Sequence, residues 1–172
     1  MPSKIHTSKA LAPSFSSSHF RAALGMFATG VTIVTARSSS GALIGLTANS
    51  FNSVSMSPPL VLWSLANSAA SLSDFRAVTH YAINVLSITQ KDLALRFASR
   101  TEDRFAGVQF SEGAGGAPII QGSVASFECF NRSRYDEGDH VIFVGEVEHC
   151  HYTAGAAPLL FHGGKFFTEH PL

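Results

Sequence analysis

Short strand-like runs lie on both sides of two central helical stretches, and the connections between those runs are of hairpin length. Residues 31–36 read as a strand, the Arg37-Ser-Ser-Ser-Gly41 segment as a turn and residues 42–47 as a second strand, which predicts a hairpin. Pro58-Pro59 break regular structure before a third strand at 60–65. Residues 81–86 have strand composition, and 124–132, 140–152 and 159–167 alternate or run apolar between turns at 136–139 and 154–158. A regular βαβ alternation does not accommodate this order. The predicted fold is mainly β, a mostly antiparallel barrel with peripheral helices.

Three helical stretches complete the plan. Ser17 and Ser18 are placed to cap a helix carrying Phe20, Leu24 and Phe27 on one face, with Gly30 at its end. Residues 67–76 form a helix start rich in capping residues, and Leu93 with Phe97 gives helical spacing over 90–99. Residues 100–123 are Gly-rich and irregular, a length that marks functional or mobile loops. Residues 1–15 read as a flexible arm and 16–172 as one domain.

Charge narrows the function classes. Twelve basic residues balance twelve acidic ones, so there is no electrostatic footprint for nucleic acid or an anionic membrane. Charged residues make up 14% of the chain, against roughly 25% in an average soluble domain. A surface so poor in charge predicts a second copy covering part of it, a homodimer. No apolar run reaches membrane-spanning length and the first 19 residues lack a signal-peptide centre, which predicts a cytoplasmic location. Cys129 and Cys150 fall in strand-like segments and read as small buried hydrophobes rather than a disulfide.

The stretch Gly45-Leu-Thr-Ala-Asn-Ser-Phe-Asn-Ser-Val-Ser-Met-Ser-Pro-Pro-Leu-Val-Leu62 sets hydroxyls and amides in a row between two apolar strands. Small polar side chains leave backbone N–H groups accessible and, with Ser and Thr hydroxyls, suit a large acceptor-rich ligand such as a flavin. A polar loop built of turn residues has the same composition.

Several segments in one order carry a resemblance: Phe27-Ala-Thr-Gly-Val-Thr-Ile-Val-Thr35, Gly45-Leu-Thr-Ala-Asn-Ser-Phe51 with Ser53-Val-Ser55, Pro58-Pro-Leu-Val-Leu62, Ala82-Ile-Asn-Val-Leu86, Gly138-Asp-His140 and Pro158-Leu-Leu-Phe-His162. Together, over about 20–167, they resemble the short-chain flavin reductase family, whose members supply reduced flavin to two-component monooxygenases. The resemblance implies an FMN-binding split β-barrel of Greek-key-like topology, a homodimer, and reduction of FMN or FAD by NADH or NADPH. A flavin-binding electron carrier of the same fold, without nicotinamide turnover, is the alternative. Phe161 stands where relatives often carry Tyr, and Leu46 where they often carry Met.

The resemblance places Thr47, Ala48, Asn49, Ser50 and Phe51 along the flavin ring, with Ser53 and Val54 beside them. Ser68 and Ser71, at a helix start, would take the ribityl phosphate, whereas apart from the resemblance plain capping is the better reading of them. Phe97 and the 100–104 segment would close over the flavin tail, Arg104 being the better phosphate partner by guanidinium geometry. His140 would sit near the nicotinamide as a positioning or stacking group, and His162, Gly163, Gly164 and Lys165 would hold the nicotinamide nucleotide. The last four residues also read as a Gly-Gly hairpin turn.

No metal is expected. On a strand His149 and His151 share a face and Cys150 points away, so three ligands do not converge. The sequence lacks a Gly-x-Gly-x-x-Gly turn, a Gly-x-Ser-x-Gly elbow and a phosphate loop, which argues against a Rossmann dehydrogenase or a serine hydrolase.

Overall fold

The computed structural model describes residues 10–101 and 103–170. Most of the expected 1–15 arm lies outside the described residues, and the part inside it, 10–15, is exposed and outside any helix or strand.

Helix α1 spans Ser17–Gly25 and is capped by Ser16, whose Oγ accepts from the His19 N–H at 3.2 Å. The cap is therefore one residue earlier than expected. The helix stops at Gly25, and Gly30 lies instead in the two-residue strand β1 (Thr29–Gly30). The expected hairpin is present as β2 (Thr32–Arg37) and β3 (Leu43–Ala48), paired antiparallel with Thr35 opposite Gly45. Residues 52–56, read as part of a polar row, form strand β4 (Asn52–Met56), which pairs with β5 (Pro59–Ala66). Helix α2 covers only Leu72–Ala77, because the capping residues at 67–71 bond as turns before it. Strand β6 (His80–Val85) and helix α3 (Lys91–Ala98) follow.

The Gly-rich stretch 100–123 is not wholly irregular. It contains a small hairpin, β7 (Phe110–Glu112) with β8 (Pro118–Ile120). Strands β9 (Ala125–Glu137) and β10 (His140–Tyr152) form a long antiparallel pair, β9 running beyond the expected end at 132. The run 159–167 divides into β11 (Leu160–His162) and β12 (Lys165–Phe167) around Gly163-Gly164, both at positive φ as a tight hairpin requires.

Seven strands form one antiparallel sheet in the order β3-β2-β6-β9-β10-β5-β4, with β1-β11-β12 and β7-β8 as smaller sheets. Strand β5 alternates, burying Val61, Trp63 and Leu65. These side chains meet Tyr81, Phe143 and Phe75 in a core where Trp63 stacks on Phe143 at 4.8 Å and meets Tyr81 edge-on at 5.7 Å. Strands β2 and β6 are buried on both faces. Their second face, with Ile33, packs under α3 through Ala94 and Phe97 and under the β7-β8 hairpin through Ile120. Cys129 belongs to the first core, whereas Cys150 is exposed, against the expectation that both are buried; both thiols are free.

Candidate functional site

The end of β5, the turn leading to α2, strand β3 and the C-terminal end of α3 enclose a cavity of about 710 Å³. Leu46, Leu65 and Phe97 supply apolar wall, and Thr47, Ser68, Ser71 and Thr101 bring hydroxyls to it. Ala69 and Ala70 keep the turn side thin. Arg100 and Arg104 are the charged groups on the wall, with no carboxylate among the described lining residues. An apolar slot with hydroxyls and two guanidiniums fits a planar ring carrying a phosphate, so the residues present suit a flavin.

Two glycine-dependent contacts shape this region. Gly45 lies opposite the rings of Phe97 and Phe105, and a Cβ there would stand 2.7 Å from Phe97 Cε1 and 3.2 Å from Phe105 Cζ. Its carbonyl accepts from Arg104 Nη1 at 2.8 Å, while Arg104 Nε and Nη2 donate to the Ser99 carbonyl at 3.1 and 2.6 Å. Arg104 thus clasps the 99–105 loop to β3, keeping two of its five N–H groups for a ligand. Arg100 is exposed, lines the cavity and makes no side-chain hydrogen bond among the described residues.

The sequence-predicted positions divide into groups. Thr47, Ser68, Ser71, Phe97 and Arg104 come together on the cavity wall. The Thr47 hydroxyl also donates to the Ala94 carbonyl at 2.6 Å, joining β3 to α3. Phe97 is buried in the second core and forms a fixed part of the cavity wall. The helix argument for Ser68 and Ser71 also changes. Helix α2 is six residues long and starts at Leu72, and the Ser71 side chain makes no capping bond, so hydroxyls rather than a helix end face the cavity.

Ala48, Asn49, Ser50, Phe51, Ser53 and Val54 run from the end of β3 into β4, outside the lining of this cavity. Ser50 Oγ accepts from the Ser64 N–H at 2.9 Å, tying the β3-β4 connection to β5. The Phe51 ring packs on Phe127 at 5.4 Å and on the first core. Ser53 and Val54 are exposed at an irregularity in the β4-β5 register.

His140 opens β10 directly opposite Ala66, a cavity residue, so the β5-β10 ladder sets it at the cavity's edge. Its Nδ1 lies 2.6 Å from Asp139 Oδ1. An ionised carboxylate only accepts, so Nδ1 carries the proton and Nε2 is the unprotonated ring nitrogen. The hydrogen bond and charge of His140 hold the Asp139 carboxyl below its ordinary range. His162, Gly163, Gly164 and Lys165 form the β11-β12 hairpin, tied to α1 through the Gly163 N–H and the Gly25 carbonyl at 2.8 Å, and are not on the cavity wall. Among the described residues no group of three or more His, Cys, Asp or Glu is placed to hold a metal ion.

Leu65, Ala66, Ala69 and Ala70 reach the cavity without having been singled out. For Ala69 and Ala70 the trace in the sequence is the small-residue run Ser68-Ala-Ala-Ser71.

The chain has similar proteins among those already known. A profile of the "Flavin reductase like domain" matches residues 24–170. The chain is 48% identical to the FMN reductase (NADH) SmoA of Agrobacterium fabrum, over 86% of this chain and 83% of that protein. It is 41% identical to the reductase component of the flavin-dependent trigonelline monooxygenase of Acinetobacter baylyi, over 86% of this chain but only 47% of that longer protein. Among solved structures, the Streptomyces globisporus NADH:FAD oxidoreductase SgcE6, in complex with NAD and FAD fragments, superposes with a TM-score of 0.87 at 38% identity, covering 95% of this chain and 98% of that one. With the profile match spanning nearly the whole described fold, the chain belongs to the flavin reductase like domain family.

Proposed function

We propose that this chain is an NAD(P)H:flavin oxidoreductase of the EC 1.5.1 type, passing a hydride from NADH or NADPH to FMN or FAD and supplying the reduced flavin to a separate monooxygenase component. The observation that carries the reading is the 710 Å³ cavity whose wall combines apolar surface, hydroxyls and two arginines, with no carboxylate among the described lining residues. The activities named for the relatives from Agrobacterium, Acinetobacter and Streptomyces support it. A bound flavin supplies the two-electron acceptor.

The protein's own part is positioning. Leu46, Leu65 and Phe97 exclude water from the ring, and the hydroxyls of Ser68 and Ser71 with the guanidinium of Arg100 orient a phosphate-bearing tail. His140, steadied by Asp139, offers Nε2 beside the cavity to the nicotinamide carboxamide. Hydride transfer depends on distance and alignment, so orientation of this kind supplies most of the protein's contribution. The loop 48–54 and the 162–165 hairpin belong to the proposed flavin and nicotinamide surfaces through their backbone groups. The same proposal includes a single domain over 16–172, a cytoplasmic location and a homodimer. The exposed Phe20, Leu24 and Phe27 around α1 support the dimer, and among the described residues no helix is long and apolar enough to cross a membrane.

The test is loss of NADH or NADPH in air with catalytic FMN or FAD, compared with His140→Ala. Wild type is expected to turn over only when both protein and flavin are present. The variant is expected to fall about tenfold, the effect of one lost hydrogen bond in the transition state, with flavin affinity unchanged. Flavin binding without turnover in wild type would identify an electron carrier instead.

A further inference from the structure

A second cavity, of about 560 Å³, shares no described lining residue with the proposed flavin site. Strand β10 connects the two, starting with His140 at the edge of the flavin cavity and bringing His151, near its other end, to this one. In the β9-β10 ladder His151 stands directly opposite Ser126, and Ser126 stands opposite Asn84 on β6, which puts the three side chains on one face of the sheet. The β7-β8 hairpin lies over that face, held by Asn84 Oδ1, which accepts from the Ile120 N–H at 2.8 Å. From the hairpin Phe110 and Ile119 supply apolar wall and Ser111 a hydroxyl, and Thr153 closes the far side. Ser123, on the same wall, has a buried hydroxyl without a hydrogen-bond partner among the described residues. Charge separates this cavity from the first. No Lys, Arg, Asp or Glu is among its described lining residues, and His151 is the one titratable side chain there.

We infer that this cavity is a second small-molecule site, taking an uncharged, flat aromatic compound that carries a hydroxyl group, a phenol in chemical class. A phosphate finds no Lys or Arg on the described wall and an ammonium no carboxylate, so a charged ligand would lose its hydration without a fixed ion partner. A phenolic hydroxyl both donates and accepts, which matches the hydroxyls of Ser111, Ser123, Ser126 and Thr153 and the imidazole of His151, each able to do either. The aromatic body covers Phe110 and Ile119. The Phe110 ring is held edge-on by Phe105 at 6.0 Å, so that wall is in place before a ligand arrives. The volume falls in the range of about 300–1,000 Å³ typical of small-molecule pockets. The site stands whether or not the first cavity takes a flavin.

The probe is 2-naphthol, uncharged at neutral pH, followed by equilibrium dialysis against the full chain with and without excess FMN, in wild type, Thr153→Trp and Ser126→Ala. Wild type is expected to bind one 2-naphthol per chain, with or without FMN. Thr153 is exposed, so a tryptophan there fills the cavity without entering the core and is expected to abolish binding. Ser126→Ala is expected to weaken it about fivefold, the order of one lost hydrogen bond. The carboxylate analogue 2-naphthoate is expected to bind more weakly than 2-naphthol. Binding that FMN displaces, or that Thr153→Trp leaves intact, puts the naphthol elsewhere and overturns the site. A preference for 2-naphthoate overturns the choice of an uncharged ligand. Absence of binding by wild type overturns the site as well, and sedimentation then shows whether Thr153→Trp separates two copies that cover the cavity.

Discussion

Gly45 shows how one missing side chain sets a site. Phe97 is fully buried and cannot retreat from a Cβ placed 2.7 Å from its ring, and Phe105 is pinned against it. Gly45→Ala is therefore expected to lower stability by about 1–3 kcal/mol through overpacking and to weaken flavin binding, since Phe97 walls the flavin cavity. Denaturant midpoints and flavin titrations of the variant check both; an unchanged affinity would separate the rings from the ligand. The sequence makes Gly45 visible as the head of a polar row. It does not show the reason for the glycine, because Phe97 and Phe105 come close only after α3 has packed on β3. Arg104 behaves similarly. Its type and region point to phosphate, yet most of its donors hold the loop through Ser99 and Gly45, a role fixed by backbone carbonyls that carry no residue identity.

At the scale of elements, strands with strong apolar patterning were legible and short ones were not. The β2-β3 hairpin and β10 stand within a residue or so of where pattern and turn residues put them. The β7-β8 hairpin was invisible, since three-residue strands in a Gly-rich stretch have no period to read. What holds that hairpin is tertiary. Buried Asn84 accepts through Oδ1 from the Ile120 N–H at 2.8 Å and donates to the Ile33 carbonyl and to Thr35 Oγ1, both at 3.1 Å. Thr35 Oγ1 donates to the Pro118 carbonyl at 2.6 Å, and Arg37 pairs with Glu112 at the hairpin's far end. Asn84→Ala leaves the Ile120 N–H buried without a partner, at an expected cost of about 2 kcal/mol. Hydrogen exchange should then rise first at Ile119 and Ile120 while β9 and β10 stay protected. Uniform loss of protection across the sheet would show that Asn84 serves the whole core instead.

For the molecule as a whole, the barrel core holds two acids that it keeps protonated. Burial pushes the Cys129 thiol from an ordinary 9.0 up to about 12, with the charges of Glu148 and Glu128 acting the same way. Burial also raises the Tyr81 phenol above its ordinary 10.0, with Cys129 adding to it. The packing allows no escape to water: a Cβ at Gly145 would stand 2.4 Å from the Tyr81 hydroxyl and 2.8 Å from Cys129 Cβ. Both groups have a folded pKa above the unfolded one, so their stabilising effect is complete below pH 9 and is lost as pH rises. Above the unfolded pKa the unfolded chain releases a proton that the folded chain keeps, which lowers unfolding free energy by roughly 1.4 kcal/mol per pH unit for each group. Cys129 acts from pH 9, and Tyr81 joins from pH 10, so the decline steepens there. Denaturant titrations from pH 7 to 11 check this, with Cys129→Ala expected to delay the onset to pH 10 and Cys150→Ala, at an exposed thiol, to leave the profile alone. A stability that stays level through pH 10.5 in wild type would mean that the core ionises without unfolding.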